Sequence, residues 1–95
     1  MSDLTLKQLQ QILKEKDYKP ELKQAYFLKL IEEIGELAEV LRKNKRLTHQ
    51  DTIKGTIEEE LYDVLYYVTC LANVYDIDLE NCHRLKEAFN KEKYS

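Results

Sequence analysis

Apolar residues recur at helical spacing along two long segments of the chain. In the first segment they lie three or four residues apart, at Phe27, Leu30, Ile31, Ile34, Leu37, Ala38 and Leu41. In the second they are Ile57, Leu61, Val64, Leu65, Val68, Leu71, Ala72 and Tyr75. Because an α-helix turns once every 3.6 residues, this spacing predicts two long helices, each with one buried face. With 2 Gly and 1 Pro in 95 residues, the composition favours helices over a sandwich or barrel.

Start and stop signals bound the first two predicted helices. Thr5 and Gln8 have the spacing of a capping box, which predicts helix one from about Leu6 to Glu15. Pro20 suits the first turn of helix two, where its missing N–H costs nothing. This long helix is expected to end near Lys43–Asn44. Mid-helix Gly35 costs roughly 1 kcal/mol relative to Ala, which close helix packing would explain.

The second half of the chain predicts two further helices after a loop. Residues 45–55 show no clear period. Thr56 and Glu59 form a second capping box at the start of helix three, and Asp78 is a good N-cap for helix four. The apolar positions of helix four are Leu79, Cys82, Leu85 and Phe89. We therefore expect an all-α, four-helix bundle-like fold in one domain, residues 1–95, with mostly antiparallel neighbours.

Charge and composition exclude several classes of partner. The net charge of −3 does not support a nucleic-acid-binding domain, and the basic cluster at residues 43–46 is expected to be a solvated helix end. No stretch approaches the ~20 apolar residues of a membrane helix, so no membrane partner is expected. The N-terminus lacks a signal-peptide pattern, and Cys70 and Cys82 are predicted to be buried thiols in a reducing compartment. These features predict a cytoplasmic protein.

Two pairs of carboxylates lie beside the apolar stripes. Glu33 and Glu36 are one turn apart on helix two, and Glu60 and Asp63 are one turn apart on helix three. In an antiparallel hairpin, the four groups can converge at one height. Mutual repulsion among them would be offset by a hard cation such as Mg²⁺, which commonly joins carboxylates to substrate phosphates. Each pair taken alone is more typical of a solvated helix face.

These carboxylates stand in a wider pattern. Residues 32–39, EEIGELAE, and residues 60–65, ELYDVL, resemble the two halves of the MazG signature, EExxE followed by ExxD. Beyond these two motifs, the resemblance continues through residues 77–80 and through Lys86, Asn90, Lys93 and Tyr94. In all it covers roughly residues 25 to 95. Two features depart from the family pattern. Asp76 stands where Gly is frequent, and the chain has no Trp, which many relatives place near the base of a bound nucleotide. A tyrosine, Tyr26, Tyr66 or Tyr67, is expected either to stack on the base or to lie in the core.

The resemblance implies a Mg²⁺-dependent nucleoside triphosphate pyrophosphohydrolase, with Mn²⁺ as a substitute. It would cleave between the α- and β-phosphates of a (d)NTP, releasing (d)NMP and pyrophosphate, in a role such as cleaning the nucleotide pool. It implies that Glu33, Glu36, Glu60 and Asp63 bind the metal. Glu32 is either the catalytic base that polarises water or a solvent-facing residue. The substrate-binding residues would be Lys29, Lys86, Asn90, Lys93 and Tyr94. The alternative for Lys29 is an ion pair with Glu33, and the alternative for the other four is a solvated helix end.

Alternatives remain at the level of sequence. Phosphoribosyl-ATP pyrophosphohydrolases have similar motifs, and a non-enzymatic helical interaction module could carry the same acidic stripes. A di-iron bundle needs Glu-x-x-His motifs from two helices, and only Glu80 and His83 provide one. Because helices two and three carry apolar residues on more than one stripe, we also expect a homodimer or homotetramer.

Overall fold

The computed structural model describes residues 3–94, and the side chains of residues 3–93. This part of the chain forms four α-helices: α1 (Leu6–Lys16), α2 (Lys23–Arg42), α3 (Ile57–Val74) and α4 (Leu79–Tyr94). Two 3₁₀ turns precede α2 and α3, at Pro20–Leu22 and Leu47–His49. No strand occurs among the described residues. The predicted all-α fold is therefore confirmed.

Local capping explains where the helices begin. The Thr5 hydroxyl accepts from the Gln8 amide at 3.0 Å, and the Gln8 side chain accepts from the Thr5 amide at 2.7 Å. Asp78 accepts from the amides of the first turn of α4, at 3.0 and 3.2 Å. Pro20 lies in a 3₁₀ turn instead of the first turn of α2, which begins at Lys23. The predicted starts of α1 and α4 are confirmed, and α2 starts later than predicted.

The helices pack as an α2–α3 hairpin with α1 against α3 and α4 against α1. The connection between α2 and α3 is closed by the Ile57 amide, which donates to the Lys45 carbonyl at 2.8 Å. A polar clamp joins α1 to α3: the Gln10 side chain donates to Asn73 at 3.0 Å, and Asn73 donates to the Gln10 carbonyl at 2.9 Å. Gln10 also accepts from the Leu79 amide at 2.9 Å. The clamp therefore fixes the position of the start of α4.

The stripe that α2 buries differs from the predicted one. Phe27, Ile31 and Ile34, which belong to the expected core face, are 51%, 50% and 50% exposed. The residues of α2 that are buried share a seven-residue spacing and are Tyr26, Glu33 and Val40. The predicted buried face of α2 is therefore wrong for the single chain. The hairpin buries the narrow stripe that carries Glu33 and leaves the broader apolar face outside.

Other core predictions are also corrected. Cys70 is buried as predicted, whereas Cys82 is exposed. On α4, Leu85 and Phe89 are exposed because that helix packs mainly against α1. A Cβ added at Gly35 would meet nothing within 4 Å, so close packing within the chain does not explain this glycine.

Three apolar residues expected on the buried face of α3 are also exposed: Leu61, Leu65 and Tyr75, the last of which is the C-cap residue that follows the helix. None of the helices in residues 3–94 combines the length and the apolar character needed to cross a membrane. Exposed large apolar side chains thus occur on all four helices.

Candidate active site

Three carboxylates meet where α2 packs against α3. Ligand oxygens of Glu33, Glu36 and Glu60 all lie within 4.8 Å of one another. Glu33 and Glu60 are buried, at 8% and 6% exposed, whereas Glu36 lies at the solvent edge. The one-turn spacing on α2 places Glu33 and Glu36 on the stripe that faces α3.

A second group shares one member with the first. Oxygens of Glu59, Glu60 and Asp63 also lie within 4.8 Å of one another. The structure thus brings the four predicted metal ligands together in two groups joined by Glu60, and adds Glu59. The spacing of Thr56 and Glu59 predicts a capping box for Glu59. Its amide does donate to the Thr56 hydroxyl at 3.1 Å, but its carboxylate accepts from the Gly55 amide at 2.8 Å instead of that of Thr56.

Burial and crowding perturb the ionisation of the cluster. Burial, the hydrogen bond with Glu60 and the charge of Glu36 raise the pKa of Glu33 to about 8. Burial also raises the pKa of Glu60. The pKa of Asp63 is raised by burial and by the charges of Glu59 and Glu36. The carboxylates therefore lack sufficient positive charge and hydrogen bonding from the rest of the chain.

Two oxygen atoms identify what the cluster lacks. Glu33 Oε2 and Glu60 Oε2 are buried and have no hydrogen-bond partner among the described residues. Buried polar atoms normally have a partner, because leaving one unsatisfied costs about 1–3 kcal/mol. Several carboxylate oxygens with unsatisfied lone pairs form the donor set that hard divalent cations prefer. The residues present therefore fit a metal ion.

A cavity of about 370 Å³ adjoins the cluster. It is lined by two carboxylates of the cluster, three tyrosines of α3 and one lysine of α1. These lining residues are Lys16, Glu33, Tyr62, Asp63, Tyr66 and Tyr67. Tyr66 and Tyr67, two of the three tyrosines considered for base stacking, thus face this cavity. Tyr26 is buried and does not line it.

Asp17 anchors the wall of the cavity and was missed by sequence analysis. Its two carboxylate oxygens accept from the hydroxyls of Tyr66, at 2.6 Å, and Tyr26, at 2.7 Å. These hydrogen bonds, Tyr66's first, lower the pKa of Asp17. Burial, together with the hydrogen bond to Asp17, raises the pKa of Tyr26 to about 12 and that of Tyr66 further. The contact between Asp17 and Tyr66 joins residues 49 positions apart, so no local pattern indicates it.

Two predicted site residues on α2 pair with each other. The Lys29 ammonium lies 3.5 Å from the Glu32 carboxylate, and both side chains are about half exposed. Lys29 was expected to meet either a phosphate or Glu33. Glu32 does not belong to either carboxylate group of the described residues. Its role as catalytic base stays a prediction.

The predicted substrate-binding residues of α4 lie elsewhere in the single chain. Lys86 and Lys93 are near the ring of Phe89, at 4.9 and 5.9 Å from its centroid. Neither they nor Asn90 line the cavity beside Glu33. The side chain of Tyr94 lies outside the described residues. Their contact with substrate stays a prediction. The carboxylate groups found in the described chain contain no histidine, so Glu80 and His83 give no support to a di-iron centre.

An all-helical chain with clustered carboxylates beside a cavity has the donor set of a site for a divalent cation. Residues 22–92 match the family model of the MazG nucleotide pyrophosphohydrolase domain. The chain belongs to the MazG family, and it is a nucleotide pyrophosphohydrolase. The alternative of a non-enzymatic interaction module was therefore wrong.

Solved structures agree with this family assignment. The chain is 52% identical to iMazG from Vibrio DAT 722, with a TM-score of 0.87 over 97% of this chain and 99% of that one. A second crystal structure of iMazG gives 53% identity and a TM-score of 0.85, over 93% and 99% of the two chains.

A Bacillus subtilis relative is more distant. YpjD, an uncharacterised protein of strain 168, is 38% identical over 102 aligned residues, which cover 95% of this chain and 87% of YpjD. Its crystal structure matches with a TM-score of 0.62 over 95% of this chain and 97% of that one.

Proposed function

We propose that this chain is a Mg²⁺-dependent hydrolase of nucleoside triphosphates that converts a (d)NTP and water to a (d)NMP and pyrophosphate. The observation that supports this most strongly is the buried pair Glu33 and Glu60. Each keeps an unpartnered oxygen within a carboxylate group whose ligand atoms lie within 4.8 Å. Family membership supports nucleotide pyrophosphohydrolysis, and the donor set supports a hard cation.

The residues divide into a metal-holding and a substrate-facing set. Glu33, Glu36, Glu60 and Asp63 would hold Mg²⁺, with Mn²⁺ as a substitute. The bound ion would offset the charge of the triphosphate and lower the pKa of an attacking water. Glu32 would orient that water or hold Lys29 in place through their ion pair. The tyrosines of the cavity would cover the base and exclude bulk water.

The proposed assembly is a homodimer or homotetramer. Large apolar side chains of α2 remain half exposed, including Phe27, Ile31 and Ile34. Contiguous apolar surface of this kind marks association in small proteins. A partner copy would also give the α4 residues Lys86, Asn90 and Lys93 a route to a neighbouring cavity. We further propose that the domain spans residues 1–95 and that its activity removes unwanted nucleotides from the pool of a cytoplasmic compartment.

The experiment is a panel of canonical and modified NTPs and dNTPs, with phosphoribosyl-ATP included, each assayed with Mg²⁺ and with EDTA. Products are separated so that monophosphate plus pyrophosphate is distinguished from diphosphate plus phosphate. We expect Mg²⁺-dependent release of pyrophosphate from at least one nucleotide. Activity on phosphoribosyl-ATP alone would replace the proposed substrate, and equal activity in EDTA would contradict the metal site.

A further inference from the structure

The cavity beside the carboxylates has one positively charged residue among its described lining residues. It is Lys16, the last residue of α1, a helix that carries neither half of the EExxE and ExxD pattern. The other lining residues are tyrosines and the carboxylates Glu33 and Asp63. Among the described lining residues, Lys16 is therefore the one that can offset negative charge on a polyanionic substrate in this cavity.

Lys16 has no competing carboxylate at contact distance. Among residues 3–94 no ion pair involves Lys16, whereas Lys29 pairs with Glu32 and Lys43 pairs with Glu39. Its ammonium lies 5.9 Å from the centroid of the Tyr66 ring. An exposed cation–π contact of this kind contributes only about 0.5–1 kcal/mol, so a stronger anionic ligand can displace it.

The end of α1 is nevertheless held firmly against the cavity. Asp17 accepts from Tyr66 and Tyr26, and its amide donates to the Leu13 carbonyl at 2.7 Å. Leu13 is 1% exposed, which ties this last turn into the core. Because both Asp17 oxygens are engaged by tyrosines, Asp17 fixes the backbone beside Lys16 without forming an ion pair with it.

The geometry points to Lys16 as a substrate-binding residue that contacts the phosphates of the nucleotide from the α1 side of the cavity that Glu33 and Asp63 also line. This inference rests on the proposed function. A metal ion and Lys16 would neutralise different parts of the triphosphate, because one is held by the carboxylates and the other by α1. An ammonium has three donors and suits phosphate oxygens as a compact charge.

The test compares Lys16→Met, which keeps most of the side-chain length, with Lys16→Arg and with Lys14→Met. Lys14 is on the same helix, interacts with the Tyr18 ring at 5.1 Å, and does not line the cavity. Steady-state rates are measured with Mg²⁺ and the best nucleotide of the panel, and inhibition is measured with inorganic tripolyphosphate. Thermal melts check that every variant is folded.

We expect Lys16→Met to raise KM about 10-fold, the loss of one charge-assisted hydrogen bond, with kcat changed less than about 2-fold. The inhibition constant of tripolyphosphate should rise by a similar factor. Lys16→Arg should restore most of the affinity, and Lys14→Met should match the wild type.

Several results would overturn the inference and leave the proposed function intact. They are an unchanged KM in Lys16→Met, a raised KM with an unchanged tripolyphosphate inhibition constant, and an equal effect in Lys14→Met. A wild-type protein that releases no pyrophosphate would instead overturn the proposed function. Calorimetric binding of tripolyphosphate to the wild type and Lys16→Met, with Mg²⁺, would then still test Lys16.

Discussion

Glu33 on α2 and Glu60 on α3 are both buried, have ligand oxygens within 4.8 Å of each other, and each keep one carboxylate oxygen without a hydrogen-bond partner among the described residues. Burial is the largest cause that raises the pKa of each carboxyl group. The hairpin therefore packs around a polar pair that the rest of the chain does not satisfy. A site of this kind sacrifices stability in the metal-free protein for ligand binding.

Glu33→Gln tests whether the unsatisfied carboxylates destabilise the metal-free protein. Gln has the shape of the neutral carboxyl group, but its amide does not ionise. Buried Glu33, in contrast, must stay protonated at a pH well above the usual pKa of a carboxyl group. In EDTA at neutral pH we expect the variant to be more stable than the wild type by about 1–2 kcal/mol. In Mg²⁺ the order should reverse, since only the wild type gains binding free energy. The measurement is thermal and urea unfolding in both conditions. A variant less stable than the wild type in EDTA would show that Glu33 contributes a needed structural interaction.

Asp17→Asn tests the anchor beneath the cavity wall. The substitution weakens the hydrogen bonds from Tyr66 and Tyr26, and should cost about 1–2 kcal/mol at pH 7. The folded-state pKa of Asp17 is lowered, so its stabilisation is present above the unfolded value and is lost as pH falls through the folded value. The difference between variant and wild type should therefore shrink below about pH 4.

Asp51→Asn is the matched control for Asp17→Asn, because Asp51 lies exposed in the loop between α2 and α3. Urea unfolding at a series of pH values should show little change for this control. A destabilisation by Asp17→Asn that does not vary with pH would contradict the assigned role of the Asp17 charge.

Ile34→Glu tests the proposed association through the outer face of α2. Ile34 is half exposed in the single chain, so a charge there is tolerated by the fold but not by a buried interface. We expect a smaller oligomer by light scattering at micromolar concentration, with the helical content retained. Ile12→Glu, at a similarly exposed isoleucine of α1, should leave the oligomer unchanged. Dissociation by Ile12→Glu but not by Ile34→Glu would place the interface elsewhere, and a monomeric wild type would refute it.

Sequence was sufficient for the elements of this fold because their signals are local. The helical period and the caps at Thr5 and Asp78 act within a few residues, and the structure reproduces them. The grouping of Glu33, Glu36, Glu60 and Asp63 also follows from local spacing, once α2 and α3 form a hairpin. The structure brings these carboxylates together in two groups that share Glu60, and their role as metal ligands remains a proposal.

Sequence was not sufficient where burial or a side-chain position depends on contacts between residues that are distant in sequence. A broad apolar face on α2 indicates amphipathicity, but it does not reveal whether α3 or a second copy covers it, and α3 packs on the stripe of Glu33 instead. Asp17 contacts Tyr66 across 49 positions of sequence, and the neighbouring Lys16 lines the cavity. Glu59 was missed for a different reason: its spacing from Thr56 has a second, structural explanation as a cap.

The central claim is that the carboxylate cluster holds the metal on which pyrophosphate release depends. The most direct test measures the rate of pyrophosphate release against Mg²⁺ concentration for the wild type, Glu36→Gln and Glu39→Gln. Glu39 lies one turn beyond Glu36 on α2 and pairs with Arg42 and Lys43 outside the cluster. We predict that Glu36→Gln lowers the rate by about 100-fold or more and requires more Mg²⁺, whereas Glu39→Gln behaves as the wild type. Equal Mg²⁺ dependence and equal rates for Glu36→Gln and the wild type would contradict the assignment of the metal site.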